Sequence, residues 1–199
     1  MRAAAKTSLA GFSLLELVIV LALLLTLTVM STSRFSSKAR QRDLAKCQLN
    51  LQKVYLALNI YRSDNGAFPI LKDAPNSEAA LSLLIPKSTT VTEMFICPGS
   101  RDEELPEGES FAGRRISYAY YMGRAAKDDP GEILLSDWQV NTAPKRTGQQ
   151  VFSSDGKKPG NNHYAEGGNL VFCGGDISGC GPKASRDLLF PATVRLLNP

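Results

Sequence analysis

A strongly apolar segment lies near the N-terminus, where residues 11–30 read GFSLLELVIVLALLLTLTVM. Glu16 is its only charged residue. At about 1.5 Å per helical residue, Phe12 to Met30 approaches the ~30 Å hydrocarbon core of a bilayer. A carboxylate at a bilayer centre costs about 2.5–3.5 kcal/mol, so it is a candidate functional group. The pattern predicts a transmembrane helix in which Glu16 has a specific task; the alternative is that Glu16 lies near the end of the span and reaches polar headgroups.

The residues around the apolar run predict that it is retained after processing. Arg2 and Lys6 precede it without any acid, as in the charged region of an export signal. The small residue suited to cleavage is Gly11, on the near side of the run. A cut after Gly11 would leave an α-amino group on Phe12. That amine, from a neighbouring subunit, could pair with Glu16, because an unpaired buried charge is strongly unfavourable.

The hexapeptide Gly11-Phe-Ser-Leu-Leu-Glu16 resembles the processing site of type IV pilins and type II secretion pseudopilins. The resemblance implies that a prepilin peptidase cuts after Gly11 and methylates Phe12. It also implies that Glu16, fifth in the mature chain, acts in subunit assembly. The implied partners are the prepilin peptidase, other pilin or pseudopilin subunits, a secretion or pilus assembly platform, and the membrane.

Several later motifs are similar, in their order, to those of pseudopilin-like proteins that are numerous in planctomycetes and verrucomicrobia. They include Phe95–Ser100, Ser117–Tyr120, Leu134–Asp137 and a hairpin near Phe172. That hairpin departs from the usual pattern, since Gly174 and Asp176 replace the usual Asp and His.

The first third of the chain predicts one long helix, because no proline occurs before Pro69 and no glycine between Phe12 and Asn65. We divide the chain into a leader (1–11), a transmembrane and assembly helix (12–30), an amphipathic helix (31–63) and a head (64–199). The amphipathic part has apolar residues at helical spacing: Leu44, Cys47, Leu51, Val54 with Tyr55, Leu58 and Tyr61.

The head is predicted to be α+β, with the long helix packed on a small antiparallel sheet, as in pilins. A short helix is expected from Glu78, capped by Asn76-Ser77. Strands are expected at 116–122, 132–137 and 169–173, with a turn at Gly174-Gly175 and a return strand. The tail, 187–197, could add a final strand or a short helix. Residues 140–162 are rich in polar, glycine and proline residues and predict a surface loop.

The pilin-like cleavage signature implies an extracytoplasmic head on a single-pass protein of the bacterial inner membrane. The net charge is +4, and is +2 without Arg2 and Lys6, too near neutral to indicate nucleic acid. Basic residues after the apolar run would favour a cytoplasmic head by the positive-inside rule. We prefer the opposite orientation because the cleavage signature requires a cytoplasmic leader.

Four cysteines allow three disulfide pairings outside the cytoplasm. Cys173 and Cys180 flank the predicted turn, so a bridge between them is plausible, and Cys47 with Cys97 would tie the helix to the head. The alternative is that these are small buried apolar residues. No zinc site is expected, because there is no Cys-x-x-Cys pair and only one histidine.

The chain is not expected to be an enzyme or to hold a cofactor, with calcium as a possible exception. His163, the one histidine, would have to serve any Ser-His-Asp or Cys-His scheme. In a loop rich in glycine and asparagine it is more often a surface or hydrogen-bonding residue. Oxygen atoms suited to calcium occur at Ser136, Asp137, Asp155, Asn161, Asn162 and Asp176. The pseudopilin resemblance also implies a calcium site in a C-terminal loop.

The sequence therefore predicts a structural, pilin-like subunit that is processed and assembled into a secretion or pilus-like filament. The alternative is an anchored extracytoplasmic binding module that does not polymerise. In that case the loop Val140–Asn162 would bind a ligand, and function would not depend on Glu16.

Overall fold

The structure is a computed structural model and describes residues 13–103, 105–111, 114–125 and 127–199, with the backbone alone for 29–37. Two compact units divide the chain, Met1–Ala39 and Arg40–Pro199. The elements are helix α1 (Leu14–Asn65), helix α2 (Ser77–Leu81), 3-10 turns at Ser82–Leu84 and Glu93–Phe95, and strands β1 (Tyr118–Met122), β2 (Ile133–Asp137), β3 (Gly168–Phe172), β4 (Ile177–Cys180) and β5 (Arg195–Leu197).

The predicted long helix is confirmed as α1, but its predicted transmembrane half is wrong. Over the residues described, no helix combines the length and the apolarity needed to cross a membrane. The fold class is corrected to α+β, with no membrane-spanning helix among the residues that the structure describes.

The ends of the helices follow from local chemistry. Helix α1 stops at Asn65 because Gly66 takes a left-handed φ of 76° and its N–H still bonds the Arg62 carbonyl at 2.8 Å. Helix α2 begins where Asn76 accepts a hydrogen bond from the Ala79 N–H at 3.1 Å, as the capping prediction required.

Five antiparallel strands form one sheet in the order β4-β3-β2-β1-β5. The predicted strands, hairpin turn and C-terminal strand are confirmed within a few residues of their expected limits. In the centre of the sheet, Tyr118 of β1 lies opposite Asp137 of β2. This register places the end of β2 beneath α1, where the candidate site forms.

The second half of α1 packs on one face of this sheet. Its apolar stripe is fully buried at Leu51, Val54 and Leu58, in one core with Tyr118 and Tyr120 of β1. Burying each such side chain contributes about 1.5–3 kcal/mol. The amphipathic prediction is therefore confirmed for the part of the helix in the second unit.

The opposite face of the sheet is covered by segments without regular secondary structure. Val151 and Phe152 are fully buried there against Tyr121 and Leu170. The prediction of a surface loop at 140–162 is thus wrong for its middle, because apolar Val151-Phe152 supplies the cover that the second sheet face needs. Both faces of β1 are consequently buried.

Candidate functional site

A cluster of four side chains with metal-ligand chemistry lies buried between α1 and the sheet. Cys47, Cys97, Asp137 and His163 each offer one ligand atom, and these four atoms all lie within 4.8 Å of one another. None of the four residues is more than 3 % exposed. Among the described residues no other group of three or more His, Cys, Asp or Glu side chains converges in this way.

Four separate segments of the fold bring these residues together. Cys47 belongs to the buried stripe of α1, and Asp137 is the last residue of β2. Cys97 follows the second 3-10 turn, and His163 lies in the turn before β3. The site therefore exists only when the helix, the sheet and two loops are in their folded positions.

The polar atoms of the cluster are in direct contact. The Cys47 thiol donates to Asp137 Oδ1 at 3.1 Å. His163 Nε2 lies 3.2 Å from Asp137 Oδ2 and 3.4 Å from Cys97 Sγ. Tyr118 Oη lies 3.3 Å from Cys47 Sγ. A carboxylate, two sulfur atoms and an imidazole nitrogen thus face a common centre.

Two asparagines hold the Asp137 carboxylate in place. Asn162 Nδ2 donates to Oδ1 at 3.0 Å and also to the Ser117 carbonyl at 2.7 Å. The backbone N–H and Nδ2 of Asn169 donate to Oδ2 at 2.7 and 3.0 Å. Gln48 on α1 orients Asn169 by donating to its Oδ1 at 3.0 Å. These donors stabilise a buried negative charge that would otherwise be very costly.

The Cys97 turn fits closely against His163. The Cys97 N–H donates to Ser117 Oγ at 2.9 Å, which fixes the turn to the start of β1. A Cβ atom on Gly99 would lie 2.4 Å from the Asn162 carbonyl oxygen and 3.0 Å from His163 Nδ1. Only glycine at position 99 lets the two loops approach closely enough for Cys97 to reach the imidazole.

The contacts of His163 are unlike those of a catalytic triad. In a triad the nucleophile and the acid bind opposite nitrogens of the imidazole. Here Cys97 and Asp137 both contact Nε2. Nδ1 is buried without a hydrogen-bond partner among the described residues. The carboxylate therefore does not hold one ring nitrogen while the thiol uses the other, as a triad requires.

Burial and mutual contacts shift the ionisation of the whole cluster. Burial lowers the pKa of His163, but the hydrogen bonds and negative charges of Asp137 and Cys97 outweigh it and raise the pKa to about 10. Burial raises the pKa of Asp137, yet the His163 contact, with Asn162 and Cys47, holds it below its usual value. Burial raises the pKa of the Cys47 thiol. Opposing burial, hydrogen bonds from Cys47 and His163 lower the pKa of Cys97.

The predicted processing residues Gly11 and Phe12 lie outside the described residues, whereas Glu16 lies in the first turn of α1. Its backbone N–H donates to Ser13 Oγ at 3.2 Å. Ser13-Leu-Leu-Glu16 has the Ser-x-x-Glu spacing of a helix capping box. This local role of the motif was missed in the sequence, where the same spacing could be seen.

The predicted Cys173–Cys180 bridge is not formed in the structure, because both thiols are free. The strand register pairs Cys180 with Gly168, whereas Cys173 follows the other end of β3. Cys47 and Cys97, the other pair considered, do come together, also as free thiols.

The candidate calcium ligands divide between different environments. Asp137 and Asn162 belong to the buried cluster, while Asp155 accepts from Ser153 Oγ at 2.9 Å and from the Lys157 N–H at 3.0 Å. Asp176 lies exposed in the β3–β4 turn. Sulfur and imidazole beside Asp137 suit a softer ion than calcium.

The sequence reasoning missed the four-residue cluster because it looked for closely spaced cysteines. Cys47 and Asp137 are 90 residues apart, and Cys97 and His163 are 66 apart. Chemically, the arrangement can hold a metal ion, and the same cysteines are near enough to be linked by oxidation.

Comparisons with known proteins found no matching family model and no significant match among curated proteins or solved structures.

Proposed function

We propose that this protein is a structural, pilin-like subunit that is processed after Gly11 and assembles with copies of itself into a filament. The observation that carries the proposal is the exposed apolar surface of α1. Between Leu14 and Leu27, eleven large apolar side chains are 41–82 % exposed. A continuous exposed apolar surface of this kind marks an interaction site, whereas apolar residues scattered singly over a surface do not.

The distribution of these side chains favours several neighbours over one. They occur at nearly every position from Leu14 to Leu27, so they surround the helix without leaving a polar face. A helix that is apolar all round is normally buried on all sides. Copies of the same helix in a filament would supply that cover.

The charge of Glu16 supports the proposal that copies of this chain, and not a purely apolar environment, cover the apolar surface of α1. A hydrocarbon surface offers no partner to its carboxylate, and an unpaired charge there is costly. A neighbouring chain cut after Gly11 offers the α-amino group of Phe12. Pairing across subunits would also fix the stagger between them, since a single buried polar group can fix register.

The proposed partners follow from this scheme. A prepilin peptidase would cut after Gly11 and methylate Phe12, and an assembly platform of a secretion or pilus system would add subunits to the filament. The head, residues 64–199, would lie outside the cytoplasm.

Co-expression of the full chain with a prepilin peptidase tests the proposal. We expect mass spectrometry to show a chain that begins at methylated Phe12, and electron microscopy to show filaments. Glu16→Gln should remove the filaments and keep the processing. Asp64→Asn, which removes an exposed acid from the other end of α1, is the matched control and should assemble normally.

Three outcomes would contradict the proposal. An uncut chain would exclude processing at Gly11. Processed protein that stays monomeric would favour the binding-module alternative. Filaments that form equally well without the Glu16 carboxylate would exclude its role in assembly.

A further inference from the structure

The geometry points to a structural zinc site formed by Cys47, Cys97, Asp137 and His163, which links α1 to the sheet and to two loops of the head. The inference rests on the buried cluster and does not depend on filament formation.

The donor set suits zinc. Zn²⁺ prefers four ligands drawn from cysteine sulfur, histidine nitrogen and carboxylate oxygen, in a tetrahedron. Calcium and magnesium prefer all-oxygen sites. Two sulfurs, one nitrogen and one oxygen are therefore a zinc-type set, and the four residues complete the coordination without water.

The distances also suit a tetrahedron. Zinc bonds of about 2.3 Å to sulfur and 2.0–2.2 Å to nitrogen or oxygen imply ligand-to-ligand distances of about 3.4–3.8 Å. His163 Nε2 lies 3.4 Å from Cys97 Sγ and 3.2 Å from Asp137 Oδ2, and Cys47 Sγ lies 3.1 Å from the other carboxylate oxygen, Asp137 Oδ1. With one ligand atom from each residue, all four atoms lie within 4.8 Å of one another. Small outward shifts of these side chains would make room for the ion.

The two contacts made by His163 Nε2 are a further reason to place a metal ion in the cluster. One nitrogen faces both a sulfur and a carboxylate oxygen, and a single N–H proton cannot point well at both. A cation between the three atoms would satisfy all of them at once. The geometry thus resembles a set of ligands that converge on one point.

The surroundings provide hydrogen bonds to three of the four ligands, of the kind that metal ligands usually have, whereas His163 Nδ1 has no partner among the described residues. Asn162 and Asn169 donate to the Asp137 carboxylate and fix its orientation. Tyr118 Oη lies beside Cys47 Sγ, and Ser117 Oγ accepts from the Cys97 N–H. Such hydrogen bonds around the ligands typically change metal affinity 10–100-fold when removed.

The burial indicates a structural role for the ion. Catalytic zinc keeps an open position for water or substrate, whereas structural zinc has four protein ligands. All four residues here are at most 3 % exposed. The ion would connect segments that are far apart in sequence and so would stabilise the folded head.

The test uses the full chain, purified without chelator, and zinc as the probe. We expect about one Zn²⁺ per chain by elemental analysis. X-ray absorption should show two sulfur neighbours at about 2.3 Å and two nitrogen or oxygen neighbours at about 2.0–2.2 Å. Removal of zinc by a chelator should lower Tm, and added zinc should restore it.

Cysteine variants assign the ligands. Cys47→Ser and Cys97→Ser should lose stoichiometric zinc. Cys173→Ser and Cys180→Ser are matched controls, because they remove a thiol elsewhere in the head, and should keep it. Asn162→Ala should weaken zinc binding about 10–100-fold without removing a ligand.

A cobalt measurement keeps the test decisive if the ligand variants do not fold. The double variant Cys173→Ser/Cys180→Ser leaves Cys47 and Cys97 as the only thiols. With Co²⁺ it should show sulfur-to-cobalt charge transfer and the intense visible bands of a tetrahedral ion.

Three results would overturn the inference. The first is a protein that holds no zinc and gains no thermal stability when zinc is added. The second is a Cys47–Cys97 disulfide as the main form in mass mapping. The third is retention of zinc by both ligand variants, or no thiolate signal with cobalt in the double variant.

Discussion

Glu16 and Asp137 are both acids among apolar residues, but they differ in where their partners lie. Asp137 is fully buried and contacts the side chains of Cys47, Asn162, Asn169 and His163. For the Glu16 carboxylate, the described residues provide no hydrogen bond or ion pair, although it stands in an apolar helix turn.

Because of this difference, we expect substitution of Asp137 to affect folding and substitution of Glu16 to affect assembly. A buried charge whose partners belong to the same chain stabilises one fold, and its loss should damage that fold. A charge whose partner belongs to a second molecule should affect assembly with that molecule and leave the stability of the isolated chain unchanged. The two acids therefore predict opposite results for the same kind of substitution.

The largest expected effect is the loss of assembly in Glu16→Ala. Filament yield should fall to background, because the neighbouring amine would lose its partner. The Tm of the head should not change, since surface substitutions usually stay within about 0.5 kcal/mol. Sedimentation and calorimetry measure the two effects separately. A parallel loss of thermal stability would remove the contrast between the two acids.

Next in size is the effect of Asp137→Ala on folding. Removal of one partner from a buried charge pair typically costs about 3–5 kcal/mol. Urea unfolding of the full chain should show this loss, whereas Asp176→Ala, at an exposed turn, serves as the control and should cost little. Equal stabilities of the two variants would show that the buried network does not support the fold.

A pair of leucines tests the packing of α1 on the sheet. Leu51 is fully buried and Leu49 is 59 % exposed. Leu51→Ala should lower the free energy of unfolding by about 2–5 kcal/mol, because it leaves a cavity. Leu49→Ala should change it by less than about 0.5 kcal/mol. Similar values for both would mean that α1 does not pack on the sheet as described.

The smallest effect is expected for Ser13→Ala, which sharpens the role of Glu16. It removes the side-chain acceptor of the Glu16 N–H and should cost about 1 kcal/mol of local helix stability. Filaments should still form, since the carboxylate remains. If Ser13→Ala abolished them as Glu16→Ala should, helix capping would explain the importance of both residues.

Elements with a local pattern were predictable from sequence, and contacts between distant segments were not. The strands around Tyr120 and Leu135 and the cap at Asn76 follow from alternation and turn chemistry. The apolar run of residues 12–30 predicts a membrane span, which the described residues do not bear out. The composition of this run predicts an apolar helix but does not predict which partner covers it.

The buried cluster shows the same limit at the level of a site. Cys47 was correctly placed on the buried stripe of α1, and His163 was recognised as the one histidine. Their meeting with Cys97 and Asp137 depends on the strand register and on the close approach at Gly99. Neither the strand register nor the close approach at Gly99 corresponds to a residue spacing that could be recognised in the sequence.

A structure of the assembled filament, determined by electron cryomicroscopy on processed protein, tests the central claim most directly. We predict that the Glu16 carboxylate lies within about 2.7–3.2 Å of the Phe12 amine of a neighbouring subunit, with the apolar part of α1 buried among copies of itself. A filament held together by the heads, with Glu16 facing solvent, would contradict this account.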